Sequence, residues 1–195
     1  MEVLSMKPNR VLILTASPRN NGNSTILALK AAEGVKAAGG EADVVPIGKL
    51  KIAPCNACDS CRTKPEEGCV IKDDMQPLYK KIEDAQGVIF ATPVYWFNVS
   101  AQMKLFIDRT YAVHDEDGYA LTGKDVGVIL TYEDEDVFVS GGINALRSFQ
   151  DICAYVKANL VGTVHGSAGK AGDVQANGKL LQKAYDLGRK IVNPK

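Results

Sequence analysis

Residues 11–25 read VLILTASPRNNGNST, an apolar run followed by a loop of small and polar residues. The run predicts a buried strand, and a helical stripe follows the loop at Leu27, Ala31, Val35 and Ala38. The loop is therefore predicted to lie at the first turn of a helix, where unpaired backbone amides and the helix dipole attract negative charge. We interpret it as an anion-binding loop.

The side chains of this loop suit a phosphate group, because they offer hydroxyl, amide and guanidinium donors at Ser17, Arg19, Asn23, Ser24 and Thr25. The sequence contains neither a G-x-x-x-x-G-K-[ST] run for a nucleoside triphosphate nor a G-x-G-x-x-G run for a dinucleotide. A monophosphate fits the loop better, and we predict that the ligand is FMN. The alternative is an ordinary turn with a Ser or Asn N-cap.

The charge balance argues against whole classes of partner. Twenty-three basic residues offset twenty-three acidic residues, so there is no basic field to gather nucleic acid or anionic lipid. Residues 1–7 lack a basic segment followed by an apolar core, and no apolar run approaches about 18 residues. We predict a cytoplasmic protein with no nucleic-acid and no membrane partner, in which cysteines stay reduced.

Apolar runs alternate with helical stripes along the chain, and the runs cover residues 11–14, 44–47, 88–91, 126–130 and 160–164. This alternation predicts an α/β fold in which helices cover both faces of a five-stranded parallel sheet, a three-layer sandwich. With the anion-binding loop after the first strand, the flavodoxin-like strand order 2-1-3-4-5 follows. Pro46 marks the second strand as an edge strand. We predict one domain over residues 1–195, with a Cys-rich insertion at about 48–72.

Three successive aromatic residues follow the third predicted strand, in the sequence Pro93-Val94-Tyr95-Trp96-Phe97. At the carboxyl end of a parallel strand they can lie along a flat conjugated ring. The alternative is packing in the core or at a subunit interface, where aromatic residues are also frequent. We favour a flavin-binding wall, because the phosphate loop is predicted at the same edge of the sheet.

Together these segments resemble a known family. The motifs SPRNNGNST, ATPVYWFNVS and MKLFIDR, with four cysteines between the first two, are similar to NAD(P)H-dependent FMN reductases of the flavodoxin-like superfamily, and most of all to iron-sulfur flavoproteins. The resemblance implies that the loop donors hold the FMN phosphate, that residues 93–97 border the isoalloxazine and that a loop near 131–142 closes the other side. It also implies a homodimer or homotetramer. We interpret the acidic run 133–136 in that loop as a solvated segment.

Four cysteines occur within fifteen residues, at Cys55, Cys58, Cys61 and Cys69. Thiolates at this spacing can converge from one loop, as in ferredoxin-type segments, and the resemblance to iron-sulfur flavoproteins implies a [4Fe-4S] cluster. Two alternatives remain open, a zinc site with four thiolates and a clusterless FMN reductase that keeps the thiols. A fifth cysteine, Cys153, lies on the apolar stripe of a helix and is predicted to be core.

The predicted function is electron transfer from NAD(P)H through FMN, and through a cluster if one is present, to a quinone, a flavin or an iron-sulfur acceptor. The alternative is a non-enzymatic, flavodoxin-like carrier between partner proteins, which the balanced charge makes less favourable. A phosphatase is excluded because no cysteine has an arginine six residues later. No catalytic side chain is predicted, since the flavin carries the hydride chemistry.

Five further polar residues receive structural interpretations. Asp73 and Asp74 precede a helix and are interpreted as caps, whereas Asp108 and Arg109 are predicted to pair or to pack near a subunit interface. His165 ends the last predicted strand, where it either approaches a substrate or forms a structural hydrogen bond. A sixth, His114, is predicted in a surface loop.

Overall fold

The computed structural model describes residues 9–115 and 118–194 of the chain, so residues 1–7, on which the cytoplasmic prediction partly rests, lie outside it. The strands are β1 (Arg10–Thr15), β2 (Glu41–Val45), β3 (Gly87–Tyr95), β4 (Asn98–Val99), β5 (His114–Asp115), β6 (Gly118–Tyr119), β7 (Asp125–Tyr132) and β8 (Asn159–Ser167). The helices are α1 (Asn23–Ala37), α2 (Ser60–Thr63), α3 (Gln76–Asp84), α4 (Ala101–Arg109), α5 (Gly142–Tyr155) and α6 (Gly178–Val192). Among these described helices, none has the length and apolar character needed to cross a bilayer.

The central sheet has the predicted order. Its five long strands are parallel and arranged β2-β1-β3-β7-β8, which are strands 2-1-3-4-5 when counted along the chain. The sequence does not predict two further features, a hairpin in which β4 pairs antiparallel with the end of β3 and a separate ribbon of β5 and β6. Strands of two residues are too short to leave a period-2 pattern in the sequence.

The second strand lies at the edge of the sheet, as Pro46 predicts, but it ends at Val45 rather than at Ile47. Proline has no amide hydrogen to donate into the ladder, so the chain leaves the sheet there. Ile47 is buried and begins a 3-10 turn over Ile47–Lys49. This turn brings Lys49 to the loop after β1, where its Nζ donates to the Pro18 carbonyl at 2.6 Å.

Alternate side chains of each central strand enter two apolar layers, one on each face of the sheet. On one face, Leu12 and Phe90 pack with α3, α4 and α5, and on the other, Ile13 and Ile89 pack with α1 and α6. Burial of a large apolar side chain contributes roughly 1.5 to 3 kcal/mol. Burial on both faces explains why these strands read as continuous apolar runs, and the predicted three-layer α/β sandwich is confirmed.

Residues 50–75 form a long connection between β2 and α3 that contains α2 and one 3-10 turn, Pro65–Glu67. Two carboxylates close its base. The backbone amide of Ala53 donates to Asp73 Oδ2 at 2.8 Å, and that of Lys51 donates to Asp74 Oδ2 at 2.7 Å. The capping interpretation is therefore incomplete, because these aspartates mainly join the two ends of the cysteine-bearing segment.

Candidate functional site

A cleft of about 710 Å³ lies at the carboxyl ends of β1, β3 and β7. Its size is typical of small-molecule sites, and doubly wound sheets bind ligands at this edge. The cleft is lined by Ser17, Arg19, Gly22, Asn23, Pro93, Val94, Tyr95, Trp96, Phe97, Thr131, Tyr132, Glu133, Asp134, Ser140, Ala168 and Gly169. The predicted phosphate loop and the predicted aromatic wall thus face one space.

The helix after the phosphate loop starts without a side-chain cap. Its N-cap is Gly22, which has no side chain to accept a hydrogen bond from the first turn of α1. A Cβ atom at Gly22 would collide with Ser17 Oγ, so glycine is needed for the loop to close this tightly. The alternative of an ordinary turn with a Ser or Asn N-cap does not describe this loop. Its helix-start amides and dipole remain available to an anion.

The donors and acceptors of the Asn23 side chain are all hydrogen-bonded to other parts of the protein. Its Nδ2 donates to the carbonyls of Ala168 and Lys170 at 3.0 and 2.8 Å, and its Oδ1 accepts from the amides of Gly172 and Val174 at 3.0 and 3.3 Å. An asparagine side chain offers two donor hydrogens and two acceptor lone pairs. Asn23 therefore ties the segment after β8 to the start of α1, and its backbone amide is the part that can face a phosphate.

Ser24 and Thr25 do not line the cleft. Ser24 is buried, and its Oγ has no hydrogen-bond partner among the residues described. A buried hydroxyl without a partner is unfavourable by about 1 to 3 kcal/mol. The Ser24 hydroxyl thus retains a donor for a group bound at the start of α1.

Two cations stand beside the phosphate loop. Arg19 is exposed, and its Nη1 donates to the Gly169 carbonyl at 2.9 Å, which leaves further N–H groups of the guanidinium for a ligand. Lys49 contacts the loop itself, because its Nζ donates to the Pro18 carbonyl and, at 3.1 Å, to Asn20 Oδ1. Sequence reasoning misses Lys49 because the turn that carries it follows the next strand along the chain.

The aromatic wall is the tip of the β3–β4 hairpin. Tyr95 pairs with Asn98, and the two residues between them have positive backbone φ, 45° at Trp96 and 64° at Phe97. Two left-handed residues in a two-residue connection are typical of a type I′ turn. Trp96 is 93% exposed and Phe97 is 53% exposed, so core packing does not account for these two rings.

The neighbouring loop after β7 supports the hairpin. Gly141 has φ +71°, and a Cβ atom there would collide with Phe97. Asn144 Nδ2 donates to the Phe97 carbonyl at 3.2 Å. These contacts fix the tip of the hairpin against the start of α5, so the aromatic wall is held in place from behind.

The end of β7 and the residues after it form the third wall of the cleft, in which two acidic residues follow the buried Tyr132. The Tyr132 hydroxyl hydrogen-bonds His165 Nδ1 at 3.0 Å, and burial, followed by the charge of Lys183, lowers the pKa of His165. His165 thus has a structural partner, as one of its two interpretations expects. Glu133 and Asp134 are exposed, as the solvated interpretation expects, yet both line the cleft.

A second cavity, of about 640 Å³, contains the four clustered cysteines at the far ends of α4 and α5. Ala57 and Asp59 both have φ 54°, and these left-handed positions curl the segment around the thiols. Within the described chain the cysteines are free thiols, and the four that line the cavity are Cys55, Cys58, Cys61 and Cys69. Burial raises the pKa of Cys61, and the nearby Cys69 and Cys55 raise it further. The thiols therefore lie within electrostatic reach of one another.

The donor chemistry of this cavity fits a metal–sulfur cluster. In the described ranges, no three His, Cys, Asp or Glu side chains converge closely enough to hold one metal ion. Four thiolates are the ligand set of a [4Fe-4S] cluster and also that of a structural zinc site. Four soft thiolates around one cavity match that chemistry.

A buried cation stands behind the cysteine cavity. Arg109, the last residue of α4, is 1% exposed and forms a two-pronged ion pair with Asp73, with Nη1–Oδ2 at 2.6 Å and Nη2–Oδ1 at 3.3 Å. Nη2 also donates to the Tyr79 hydroxyl at 2.9 Å and to Cys69 Sγ at 3.4 Å. Sequence reasoning misses this cluster, because Arg109 lies 30 residues after Tyr79 and 40 residues after Cys69 in the chain.

These contacts favour the ionised forms of the Asp73 carboxyl and the Cys69 thiol. Burial alone would raise the pKa of Asp73, but hydrogen bonds from Arg109 and from the amides of Ala53 and Met75 outweigh it and lower the pKa. Burial would likewise raise the pKa of Cys69, but the Tyr79 hydroxyl, the backbone of residue 71 and Arg109 lower it. Thiolate is the form of cysteine that binds metal.

Around this cavity, Asp108 and Arg109 do not pair with each other, and the prediction of a loop at His114 is wrong. Asp108 pairs with Lys104 at 2.6 Å on the surface of α4, and its neighbour Arg109 points into the interior instead. His114 lies in β5, where its Nε2 contacts the Cys61 carbonyl at 3.0 Å.

The fifth cysteine, Cys153, is buried in the core as predicted, and burial raises its pKa to about 11.

Known proteins share both the sequence and the fold. Residues 9–173 match the family described as NADPH-dependent FMN reductase. An iron-sulfur flavoprotein of Methanocaldococcus jannaschii is 30% identical over 94% of this chain and 95% of its own length, and one of Archaeoglobus fulgidus is 34% identical over 92% and 77%. The structure of the NAD(P)H:quinone oxidoreductase from Methanothermobacter marburgensis shares the fold, with a TM-score of 0.73 at 20% identity over 97% of this chain and 100% of that one. The chain belongs to the NADPH-dependent FMN reductase family and is an FMN-dependent oxidoreductase.

Proposed function

We propose that the chain oxidises NADH or NADPH and passes the electrons to a quinone, a flavin or an iron-sulfur acceptor. The observation that carries the proposal is the cleft in which the phosphate loop and the aromatic hairpin face each other. FMN bound there supplies the hydride and electron chemistry. The protein supplies binding, orientation and access for the second substrate.

We assign the binding of FMN to two groups of residues. The helix-start amides of α1, with Ser17 and Arg19, hold the phosphate, and Ser24 and Thr25 add hydroxyl donors behind them. The hairpin residues Pro93, Val94, Tyr95, Trp96 and Phe97 border the isoalloxazine. The exposed Trp96 ring lies where it can contact a second flat ring at the mouth of the cleft.

We further propose that the segment at about 48–72 is an insertion that holds a [4Fe-4S] cluster through Cys55, Cys58, Cys61 and Cys69. The shared cavity and the thiolate chemistry support this assignment, and so does the name iron-sulfur flavoprotein that relatives carry. A cluster would supply single-electron chemistry toward an external acceptor.

The nicotinamide step is tested by mixing FMN-loaded protein anaerobically with NADH and with NADPH in a stopped-flow instrument. We expect at least one nucleotide to bleach the flavin absorption, and Trp96→Ala to slow the bleaching. Tyr155→Ala, a change of an exposed aromatic residue at the other cavity, is the matched control. Full FMN occupancy with no reduction by either nucleotide would favour the carrier alternative.

The cluster is tested by anaerobic reconstitution with iron and sulfide, followed by iron, sulfide and zinc assays on the same sample. Wild-type protein should take up iron and sulfide and gain broad visible absorption beyond that of flavin. Cys58→Ala and Cys69→Ala should lose this uptake, whereas Cys153→Ala, a change in the core, should keep it. Zinc retention without iron would support the zinc alternative, and no metal in any protein would support clusterless thiols.

The predicted homodimer or homotetramer remains a proposal, which the surface near the cleft supports. Trp96, Phe138 and Val139 are all exposed, at 93%, 70% and 60%, and exposed apolar patches often mark interaction sites. Light scattering on purified protein would measure the mass. A monomeric mass at all concentrations would exclude the proposed assembly.

A further inference from the structure

Arg109 has the largest fully buried side chain in the described structure. Removing a guanidinium from water is costly, and a buried arginine–carboxylate pair is often no more stabilising than apolar residues of the same shape. Stability alone therefore does not account for the charge at this position. Its contacts point to another role.

The guanidinium fastens both ends of the cysteine-bearing segment to α4. On the side before Cys55, Nη1 donates to the Ala53 carbonyl at 2.9 Å. On the side after Cys69, Nη2 donates to the Ile71 carbonyl at 3.3 Å. Together with the Asp73 pair, these bonds fix the positions at which the segment enters and leaves the cysteine cavity.

One sulfur atom, Cys69 Sγ, receives a direct hydrogen bond from this cluster. Arg109 Nη2 donates to Cys69 Sγ at 3.4 Å, and the Tyr79 hydroxyl lies near the same sulfur. Tyr79 is held in turn by Arg109, whose Nε and Nη2 donate to its hydroxyl oxygen at 3.2 and 2.9 Å. The Cys69 sulfur thus has the Arg109 N–H as a donor, a positive charge beside it, and a nearby hydroxyl that Arg109 holds in place.

We propose that Arg109 is the positioning residue that sets the reduction potential of the metal–sulfur group in the cysteine cavity, acting through Cys69 together with Tyr79. The proposal rests on the proposed cluster. Reduction by one electron from an external reductant makes the group more negative by one charge, with no proton transferred. N–H and O–H donors to a ligand sulfur, and a fixed cation beside it, stabilise that added charge, so they raise the potential.

The experiment compares wild type with Arg109→Lys and Tyr79→Phe after anaerobic reconstitution. Lysine keeps the charge but loses the planar fork that reaches Asp73, Tyr79 and the sulfur together, and phenylalanine keeps the ring but removes the hydroxyl. Arg147→Lys is the matched control, because Arg147 is exposed on α5 and pairs with Asp151. Iron and sulfide per chain are measured first, and the midpoint potential then comes from reductive titration.

We expect all four proteins to load iron and sulfide equally and Arg147→Lys to titrate like wild type. Arg109→Lys should be harder to reduce by about tenfold in the equilibrium constant, a negative shift of about 59 mV for a one-electron couple, and Tyr79→Phe should shift in the same direction. Resonance Raman bands of the iron–thiolate bonds should also lose part of their shift in D₂O. Potentials equal to wild type in both loaded variants would overturn this inference alone.

Two other outcomes separate a failure of the proposed cluster from a failure of the role proposed for Arg109. If wild type takes up no iron and sulfide, both the proposed cluster and this inference fall. If Arg109→Lys does not fold, Tyr79→Phe carries the test, since it removes one hydroxyl and leaves the ion pair with Asp73 in place. A loaded Tyr79→Phe protein with an unshifted potential would then overturn the role assigned to the hydrogen bonds at Cys69.

Discussion

At the scale of single residues, Arg19 joins the two sides of the proposed phosphate site. Its backbone amide donates to Ser17 Oγ at 3.3 Å, and its guanidinium donates to the Gly169 carbonyl at 2.9 Å. The remaining N–H groups are exposed to solvent at the cleft. An exposed cation gains less from a phosphate than a buried one, because solvent screens it.

Arg19→Ala should weaken FMN binding by about 1 to 2 kcal/mol, since it removes a hydrogen bond to a charged group that is partly screened. Riboflavin has no phosphate, so its affinity should be almost unchanged. Flavin fluorescence titration of apo-protein measures both. Arg10→Ala, a change of an exposed arginine at the opposite end of β1, is the control. An equal loss for riboflavin would show that Arg19 acts through the loop and not on the phosphate.

His165 should make stability depend on pH. Burial lowers its pKa in the folded protein below the ordinary 6.5, so the unfolded chain binds the proton more readily. The stability from neutral His165 is present above about pH 6.5 and is lost as pH falls through the lowered pKa. Thermal melts of wild type should weaken over this acid range more steeply than those of His165→Asn. If His114→Asn flattens the profile as much, the assignment to His165 is wrong.

At the scale of elements, the β3–β4 hairpin combines backbone strain with exposed aromatic surface. Trp96 occupies the left-handed region, which costs a non-glycine residue about 1 to 3 kcal/mol. Because the Trp96 ring is 93% exposed, hydrophobic burial offsets little of this backbone strain in the free protein. The arrangement is consistent with a residue kept for binding and not for folding.

Trp96→Asn should therefore raise the unfolding free energy of the apo-protein by roughly 1 kcal/mol, because asparagine tolerates the left-handed region of a type I′ turn. The same change should weaken FMN binding by removing part of the wall. Denaturant unfolding and flavin titration measure the two effects. Trp96→Phe keeps an aromatic ring and should show neither gain nor large loss. A destabilised Trp96→Asn protein would contradict the strain argument.

The long elements were predictable because periodicity encodes them, whereas contacts between distant segments were not. Five apolar runs give the five long strands, and the order follows from topology rules. The turn at Trp96 and Phe97 lacks the Asn-Gly signature of its type. The partners of Asn23 lie about 145 residues away, at Ala168 and beyond, so its structural role leaves no local pattern in the sequence.

At the scale of the whole molecule, α4 and α5 run from the proposed FMN cleft to the cysteine cavity. α4 follows the β3–β4 hairpin and ends at Arg109, and α5 begins beside the loop after β7 and ends at Tyr155. With nine and fourteen residues, these helices are about 14 and 21 Å long. The two sites are thus separated by more than the distance over which substitutions usually couple, about 7 to 10 Å.

Substitutions at the two sites should consequently act independently. Cys58→Ala should leave FMN affinity unchanged, Arg19→Ala should leave iron uptake unchanged, and the double variant should equal the sum of the single changes within about 0.5 kcal/mol. Flavin titration and iron assays on wild type, the two single variants and the double variant complete this double-mutant cycle. Lys49 is the place where coupling would enter, because it precedes the cysteine-bearing segment and contacts the phosphate loop. A coupling energy well above that limit, abolished by Lys49→Ala, would show that the segment and the loop move together.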